Sequence, residues 1–168
     1  MTENWYLVRT KPRQENLAKE NLERQSYVVY LPRLMVQKNK RGKWIDVIEP
    51  LFPGYLFVSV DSSIRSLAPV RSTLGVAKIV QFGDYVRPVP DTIVSLLKST
   101  EDAIDHLHRF SGPTLELGDD VEVIDGPFTG LDAVFQEQKG KDRALILVSV
   151  LGRVNQIEIS ANSISGMV

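Results

Sequence analysis

The stretch Gly54-Tyr55-Leu56-Phe57-Val58-Ser59-Val60 predicts the fold of this 168-residue chain more clearly than any other segment. It is a run of aromatic and aliphatic residues directly after a glycine, which is typical of a strand that follows a turn. A single strand is not stable alone, and the neighbouring segments predict its partners. We therefore expect a β-sheet in this half of the chain.

Further strands are predicted on both sides from short runs rich in β-branched and aromatic residues. These runs cover residues 5–9, 27–31, 34–38, 44–48 and 76–82. The third and fourth runs are joined by the basic segment 39–43, in which Gly42 can adopt a positive φ, so the pair is predicted to be a hairpin.

Helices are predicted between the strands from apolar residues at helical spacing. The apolar positions are Leu17, Ala18 and Leu22 in a first helix and Ile93, Leu96, Leu97 and Ile104 in a second. Thr10 is placed to cap the first helix, Pro90 to start the second, and a short helical stretch is expected near residues 63–67. The order of elements predicts an α+β domain, with helices on an antiparallel sheet, over residues 1–104.

The last third of the chain has the pattern of a small all-β unit. Short apolar runs, including Leu145, Leu147, Val148 and Val150, alternate with glycine-containing turns, and about five strands fit the length. We place this unit at residues 117–168. Residues 105–116, where the apolar density falls, are the predicted linker.

One turn in this unit has a clear physical logic. Gly126 and Pro127 reverse the chain, Phe128 anchors the turn to the barrel, and Gly130 releases it toward the next strand. On turn chemistry alone, a purely structural hairpin explains the same residues.

Composition indicates an ordinary globular chain, with 43% hydrophobic and 24% charged residues and no cysteine. The lack of cysteine excludes disulfides and thiolate metal sites. The chain opens without a signal-peptide pattern and has no run of about 18 apolar residues, so we expect a cytoplasmic protein and no membrane partner.

The small net charge hides an asymmetry between the halves. Residues 1–100 carry 15 Lys and Arg against 9 Asp and Glu, a balance of +6, whereas residues 101–168 carry 5 against 12, a balance of −7. The basic half is suited to nucleic acid phosphates and the acidic half to a protein partner. Solvated surface charge without any partner is the alternative.

Catalytic patterns are not convincing anywhere in the sequence. His106 and His108 lie near Asp102 and Asp105, but alternate positions on a helix do not share a face, so a metal site is disfavoured. No glycine-rich phosphate loop or nucleophile elbow occurs. The sequence therefore indicates a binding protein without metal or cofactor, and not an enzyme.

Two ordered motifs resemble the NusG family of transcription elongation factors. Residues 117–130 resemble a KOW motif, and residues 148–154 with Ile157-Glu158-Ile159 resemble the end of the same module. In the first half, Trp5-Tyr6-Leu7-Val8, the helix after Lys11-Pro12, residues 51–58, residues 73–76 and Phe82-Gly83 fall where that family's N-terminal domain carries similar runs. The resemblance covers nearly the whole chain, and it implies a NusG-type N-terminal domain followed by a five-stranded KOW β-barrel.

Residues 22–25, 49–53 and 133–135 resemble the specialised RfaH-like branch of the family. In that branch the positions matching Glu49 and Arg143 form an ion pair across the domain interface. The pair holds the C-terminal module as a helical hairpin that masks the polymerase-binding surface.

Both charges are present here, but an exposed pair contributes only about 0 to 1 kcal/mol and would bias such docking without causing it. Pro127 and the many β-branched residues favour the barrel, and the helical hairpin is the alternative state.

The resemblance implies a transcription elongation factor and antiterminator that suppresses pausing and termination in selected operons, and that couples transcription to translation. The implied contacts with the RNA polymerase clamp are Leu7, Tyr55, Phe57, Phe82 and Ile93, and those with non-template DNA are Lys11, Arg13, Arg24, Gln25 and Arg71. For any single one of the apolar residues, a place in the core is an equally good interpretation. Leu74 and Asn21 replace an arginine and a histidine of RfaH, so we expect either a different DNA sequence to be read here or weak recognition of DNA.

A small-subunit ribosomal protein is a further expected partner of the C-terminal module, with a termination factor as the alternative. The expected state is a monomer associated with the nucleoid through polymerase. A housekeeping NusG-like factor and a KOW-type ribosomal or RNA-binding protein are the alternative functions.

Overall fold

The computed structural model describes residues 3–82, 86–109, 143–145, 147–149 and 151–152. Its strands are β1 (Glu3–Thr10), β2 (Val28–Tyr30), β3 (Arg33–Lys40), β4 (Lys43–Pro50), β5 (Tyr55–Asp61) and β6 (Val76–Ile79), and its helices are α1 (Glu15–Arg24), α2 (Ala68–Arg71) and α3 (Asp91–Ser99). The KOW turn residues Gly126, Pro127, Phe128 and Gly130 lie outside the described residues. The predicted domain boundaries remain predictions.

The central sheet has the strand order β2-β5-β1-β6, and its pairs are antiparallel. The segment that most clearly predicted a strand, β5, lies between β2 and β1, with Phe57 opposite Leu7 and Leu56 opposite Val8. Strands β3 and β4 form a separate two-stranded hairpin whose tip is turned by Arg41 and Gly42, both at positive φ. The predicted antiparallel sheet with helices is confirmed, and so is the hairpin.

The sheet is apolar on both faces, because successive residues of β1 and β5 point to opposite sides. On one face, Tyr6, Val8, Leu56, Val58 and Val60 pack with Ala18 and Leu22 of α1 and Val70 of α2. On the other face, Leu7 and Phe57 pack with Phe82 and with Ile93, Val94 and Leu97 of α3. Each face therefore needs its own covering layer.

Three helices differ from the sequence prediction, and the short helix α2 begins at Ala68, after the stretch 63–67 where it was expected. Thr10 does not cap α1, because it is still paired in β1 opposite Val76, and the helix begins only at Glu15. Helix α3 ends at Ser99, and Ile104 is 91% exposed. Leu96 was also expected on the packed face but is 39% exposed, and the buried side of the helix is formed by Ile93, Val94 and Leu97.

The segment after residue 142 also differs from the first prediction. Residues 143–145, 147–149 and 151–152, which we call the C-terminal helical segment, are helical where strands of the barrel were expected. Tertiary packing overrides the β propensity here, because the helical conformation places Ala144, Leu147 and Leu151 together in the core. For this segment the structure matches the helical alternative.

Gly75 fixes how closely α1 approaches the turn before β6. Its φ is +95°, and a Cβ atom at this position would lie 2.8 Å from the backbone nitrogen of Ala18 and 3.0 Å from its Cα. Both the backbone conformation and the space exclude a side chain. Gly42 has a φ of +79°, and a Cβ atom added there would have no other atom within 4 Å.

These two glycines make a matched pair for a stability measurement. Gly75→Ala is expected to lower the free energy of unfolding by about 2–5 kcal/mol, since strain and overlap add. Gly42→Ala is expected to cost about 1–2 kcal/mol, from strain alone. Urea denaturation of both variants measures the difference, and equal losses would contradict the close packing of α1 on this turn.

Candidate functional site

All the residues implied as polymerase contacts lie on, or pack against, the sheet face that α3 covers. Leu7 and Phe57 come from neighbouring strands, Ile93 from α3, and Phe82 from the segment after β6. These four side chains are buried, and Tyr55 packs against them at the rim, where it is half-buried. The structure brings the five residues together into one continuous apolar surface, which we call the apolar face.

The C-terminal helical segment covers the apolar face. Ala144, Leu147 and Leu151 belong to the same buried cluster, and Leu147 and Leu151 are 0% exposed. Their spacing of three and four residues puts them on one side of a helix. Leu145 points away from the cluster and is 66% exposed. The segment is therefore amphipathic, and its apolar side packs on the sheet and excludes water from it.

An ion pair fixes the start of this segment to the β3–β4 hairpin. The Arg143 guanidinium donates to the Glu49 carboxylate at 2.6 Å through Nη2 and to the carbonyl oxygen of Leu51 at 2.9 Å through Nε. The Arg143 side chain is only 4% exposed, so the pair is not the exposed one assumed from the sequence. Breaking such a pair leaves a charge with little access to water, and this gives it more influence than a surface pair.

Glu49 has a second cationic partner that the sequence analysis missed. Lys38 Nζ lies 3.2 Å from Glu49 Oε2. The hairpin register could have revealed it, because Lys38 and Glu49 lie on the same face once the tip is placed at residues 41–42. Lys38 stays close to Glu49 within the hairpin itself, whereas Arg143 belongs to the segment that covers the sheet.

These contacts set the ionisation of Glu49. Burial disfavours the charged form, but the hydrogen bonds from Arg143 and then Lys38, together with their charges, outweigh it and hold the pKa of Glu49 below its ordinary value of 4.5. A lowered pKa means that the stabilisation is fully present above the ordinary value and is lost as the pH falls through the lower one. The ion pair therefore persists at neutral pH.

The implied DNA contacts come from three segments, namely the end of α1, the residues after β1, and α2. Arg24 pairs with Glu20 at 3.2 Å, and Gln25 donates to Thr73 Oγ1 at 2.8 Å, both near the end of α1. Lys11 and Arg13 are exposed and line a cavity beside the end of β1. Arg71 lines an adjacent cavity, and the two cavities share Arg9, Tyr55 and Ala77.

The two histidines make contacts that are structural. His108 is buried, and its Nε2 and Nδ1 atoms lie 2.8 Å and 3.2 Å from the carbonyl oxygens of Leu97 and Arg33. His106 lies 3.7 Å from Glu101, which also accepts a hydrogen bond from the Tyr30 hydroxyl. Burial, followed by this hydrogen bond, raises the pKa of Tyr30 above its usual range. Among the residues described, no three metal-ligating side chains lie together.

The fold and the site define a class of protein: a binding protein whose apolar sheet face is occupied by a helical segment of the same chain. The chain belongs to the NusG family, since the family model "NusG: Transcription termination factor nusG" matches residues 3–98. Members of this family are transcription factors that interact with RNA polymerase and are not enzymes. No helix in the described part of the chain is long and apolar enough to cross a membrane.

Known relatives agree with this assignment. The chain is 29% identical to the transcription termination/antitermination protein NusG of Bacillus subtilis, over 98% of each chain. It is also 29% identical to the NusG of Streptomyces griseus, in an alignment that covers 95% of this chain and 63% of the relative. A solved structure described as "Domain interaction in Thermotoga maritima NusG" is 27% identical, covers 77% of each chain and has a TM-score of 0.45.

Two leucines of the helical segment separate docking from surface effects. Leu147→Ala removes a fully buried side chain and is expected to lower the free energy of docking by about 2–5 kcal/mol. Leu145→Ala changes an exposed side chain and is expected to have little effect. Hydrogen exchange of the backbone amides in the segment measures both, with fast exchange expected only in Leu147→Ala. Equal protection in the two variants would contradict the burial of the segment on the sheet.

Proposed function

We propose that this chain is a transcription elongation factor and antiterminator that binds the clamp region of RNA polymerase through the apolar face. The observation that carries the proposal is the apolar face itself, which gathers Leu7, Phe57, Phe82 and Ile93 under a cover supplied by the same chain. A continuous apolar surface of this kind is typical of a protein interaction site when its cover leaves. The names of the relatives, which refer to transcription termination and antitermination, support the same function.

The C-terminal helical segment acts in this proposal as a removable cover. Polymerase and the segment need the same surface, so only the uncovered form binds polymerase, and the fraction of uncovered chain sets the activity. The ion pair between Arg143 and Glu49 raises the cost of uncovering. This arrangement supports the specialised, gated branch of the family, which acts in selected operons.

DNA recruits the gated form in the same proposal. Lys11, Arg13 and Arg71 are exposed cations near the edge of the apolar face and would contact the phosphates of the non-template strand. Arg24 and Gln25 lie at the end of α1 and would contact bases or phosphates from there. Once released, the C-terminal module would form the KOW barrel and contact a small-subunit ribosomal protein, which couples transcription to translation.

A housekeeping NusG-like function is the second candidate. It is favoured by the match to the Bacillus subtilis NusG over 98% of both chains. An ungated factor needs no recruitment sequence, whereas the gated one remains inactive without it. The two candidates are therefore distinguished by activity on a template that lacks any recruitment element.

Single-round transcription with purified polymerase, on a pausing template without such an element, tests the function and the gate together. The proteins compared are the unmodified chain, Glu49→Arg, Arg143→Glu and the double swap. Each single change puts two like charges in contact and is expected to favour the uncovered form by about 3 kcal/mol. This is the lower end of the range for breaking a buried ion pair, because Glu49 keeps some contact with water. We expect shorter pauses with both single variants and little effect of the unmodified chain.

The double swap is the control for the pair itself. It restores opposite charges and is expected to return pausing toward that seen with the unmodified chain, incompletely because Lys38 then faces a cation. Equal shortening by all four proteins would contradict the gate and favour the housekeeping function. No change of pausing or termination with any of the four, and no co-purification with polymerase, would contradict the proposed function.

A further inference from the structure

We propose that a free nucleotide carrying several phosphates binds in a cavity between the N-terminal domain and the C-terminal helical segment, and holds that segment on the sheet. The cavity has a volume of about 680 Å³, which is in the range of small-molecule sites. Its walls come from both parts of the molecule: Thr10 to Arg13 and Gly54-Tyr55 on one side, and Ala144 and Leu145 on the other. The inference rests on the proposed gate, because the segment supplies one wall.

The charges around the cavity favour an anion. Arg9, Lys11 and Arg13 line it and make no ion pair with a carboxylate in the described part of the chain. Glu15, the acidic residue among its described lining, is buried and accepts a hydrogen bond from the Gly54 amide at 2.9 Å. Three cations thus converge on a space with one engaged carboxylate. Phosphate oxygens are the acceptors that such arginine and lysine groups bind best.

The remaining walls of the cavity favour a ligand that carries a flat ring. Pro12, Pro53, Ala77 and Ala144 line the cavity with apolar surface, together with the ring of Tyr55. The Arg9 guanidinium lies 5.9 Å from the centre of that ring, so cationic and aromatic groups alternate along one wall. A base can stack on this wall while its phosphates reach the cations, which neither an apolar ligand nor a bare anion would do.

Binding in this place would act on the gate. A ligand that contacts Ala144 and Leu145 together with Arg9 and Lys11 binds the covered form more tightly than the uncovered one. It therefore stabilises the covered form by a free energy that rises with the logarithm of one plus the ratio of its concentration to its dissociation constant. The structure thus connects the nucleotide level of the cell to the fraction of chain available to polymerase.

Isothermal titration calorimetry of the full chain with ATP, inorganic tripolyphosphate and a short single-stranded oligonucleotide, at fixed ionic strength, tests the proposal. ATP is expected to bind at least about fivefold more tightly than tripolyphosphate, the lower limit for one stacked base. Lys11→Gln and Arg13→Gln should weaken ATP binding. Lys43→Gln, which removes a cation at the hairpin tip away from the cavity, should not.

Leu145 shows whether the segment belongs to the site. Its side chain is exposed and outside the core, so charged substitutions are compatible with folding. Leu145→Glu is expected to weaken ATP binding about fivefold and Leu145→Lys to strengthen it about fivefold, as for one charge at contact distance in water. If both leave ATP binding unchanged while Lys11→Gln weakens it, the ligand does not bridge the two parts and the proposal is wrong.

The other outcomes are equally decisive. Equal affinity for tripolyphosphate and ATP would show a simple anion site, and preference for the oligonucleotide without competition by ATP would assign the cations to a DNA strand. Either result overturns the proposal. Hydrogen exchange of the helical segment in the same samples separates this failure from that of the gate: protected amides without ATP binding contradict the nucleotide site alone, whereas unprotected amides contradict the cover itself.

Discussion

The structure depends on one constraint: its central sheet is apolar on both faces, and both must be covered. Helices α1 and α2 cover one face permanently, because they are joined to the sheet by short connections. The other face is covered in part by α3 and in part by a segment that returns from more than forty residues later in the chain. Because this cover comes from so far along the chain, its release would not require the rest of the domain to unfold. In the proposed gate, the same apolar residues serve as core in the covered state and as the binding surface in the uncovered one.

Much of the domain could be predicted because its signals are local. Strand β5 and the β3–β4 hairpin follow from composition, alternation and a glycine at the turn, and these depend on neighbouring residues. The start of α1 was wrong because Thr10 pairs with Val76, a contact that sequence spacing does not reveal. The C-terminal helical segment was predicted as part of the β-barrel for a related reason. Its helical state is selected by the sheet it covers, and its own propensity favours strands.

The candidate site shows the same division. The apolar residues could be named from resemblance, but in sequence they are indistinguishable from ordinary core residues, and only the position of Leu147 and Leu151 shows what covers them. Glu49 and Arg143 are 94 residues apart, so no local pattern joins them. The burial of Arg143 makes the loss of either partner more costly than in the exposed pair first assumed. The five proposed DNA contacts come from three separate segments of the chain, which side-chain type alone does not connect.

We expect the C-terminal helical segment to occupy the apolar face when the chain is free in solution. Backbone chemical shifts of Ala144 and Leu147 in the full-length chain, with nuclear Overhauser contacts from the Leu147 methyl groups, measure this. Helical shifts are expected, with contacts to the buried cluster that contains Phe57 and Ile93. Extended-strand shifts, with no contact between these methyl groups and the sheet, would contradict it.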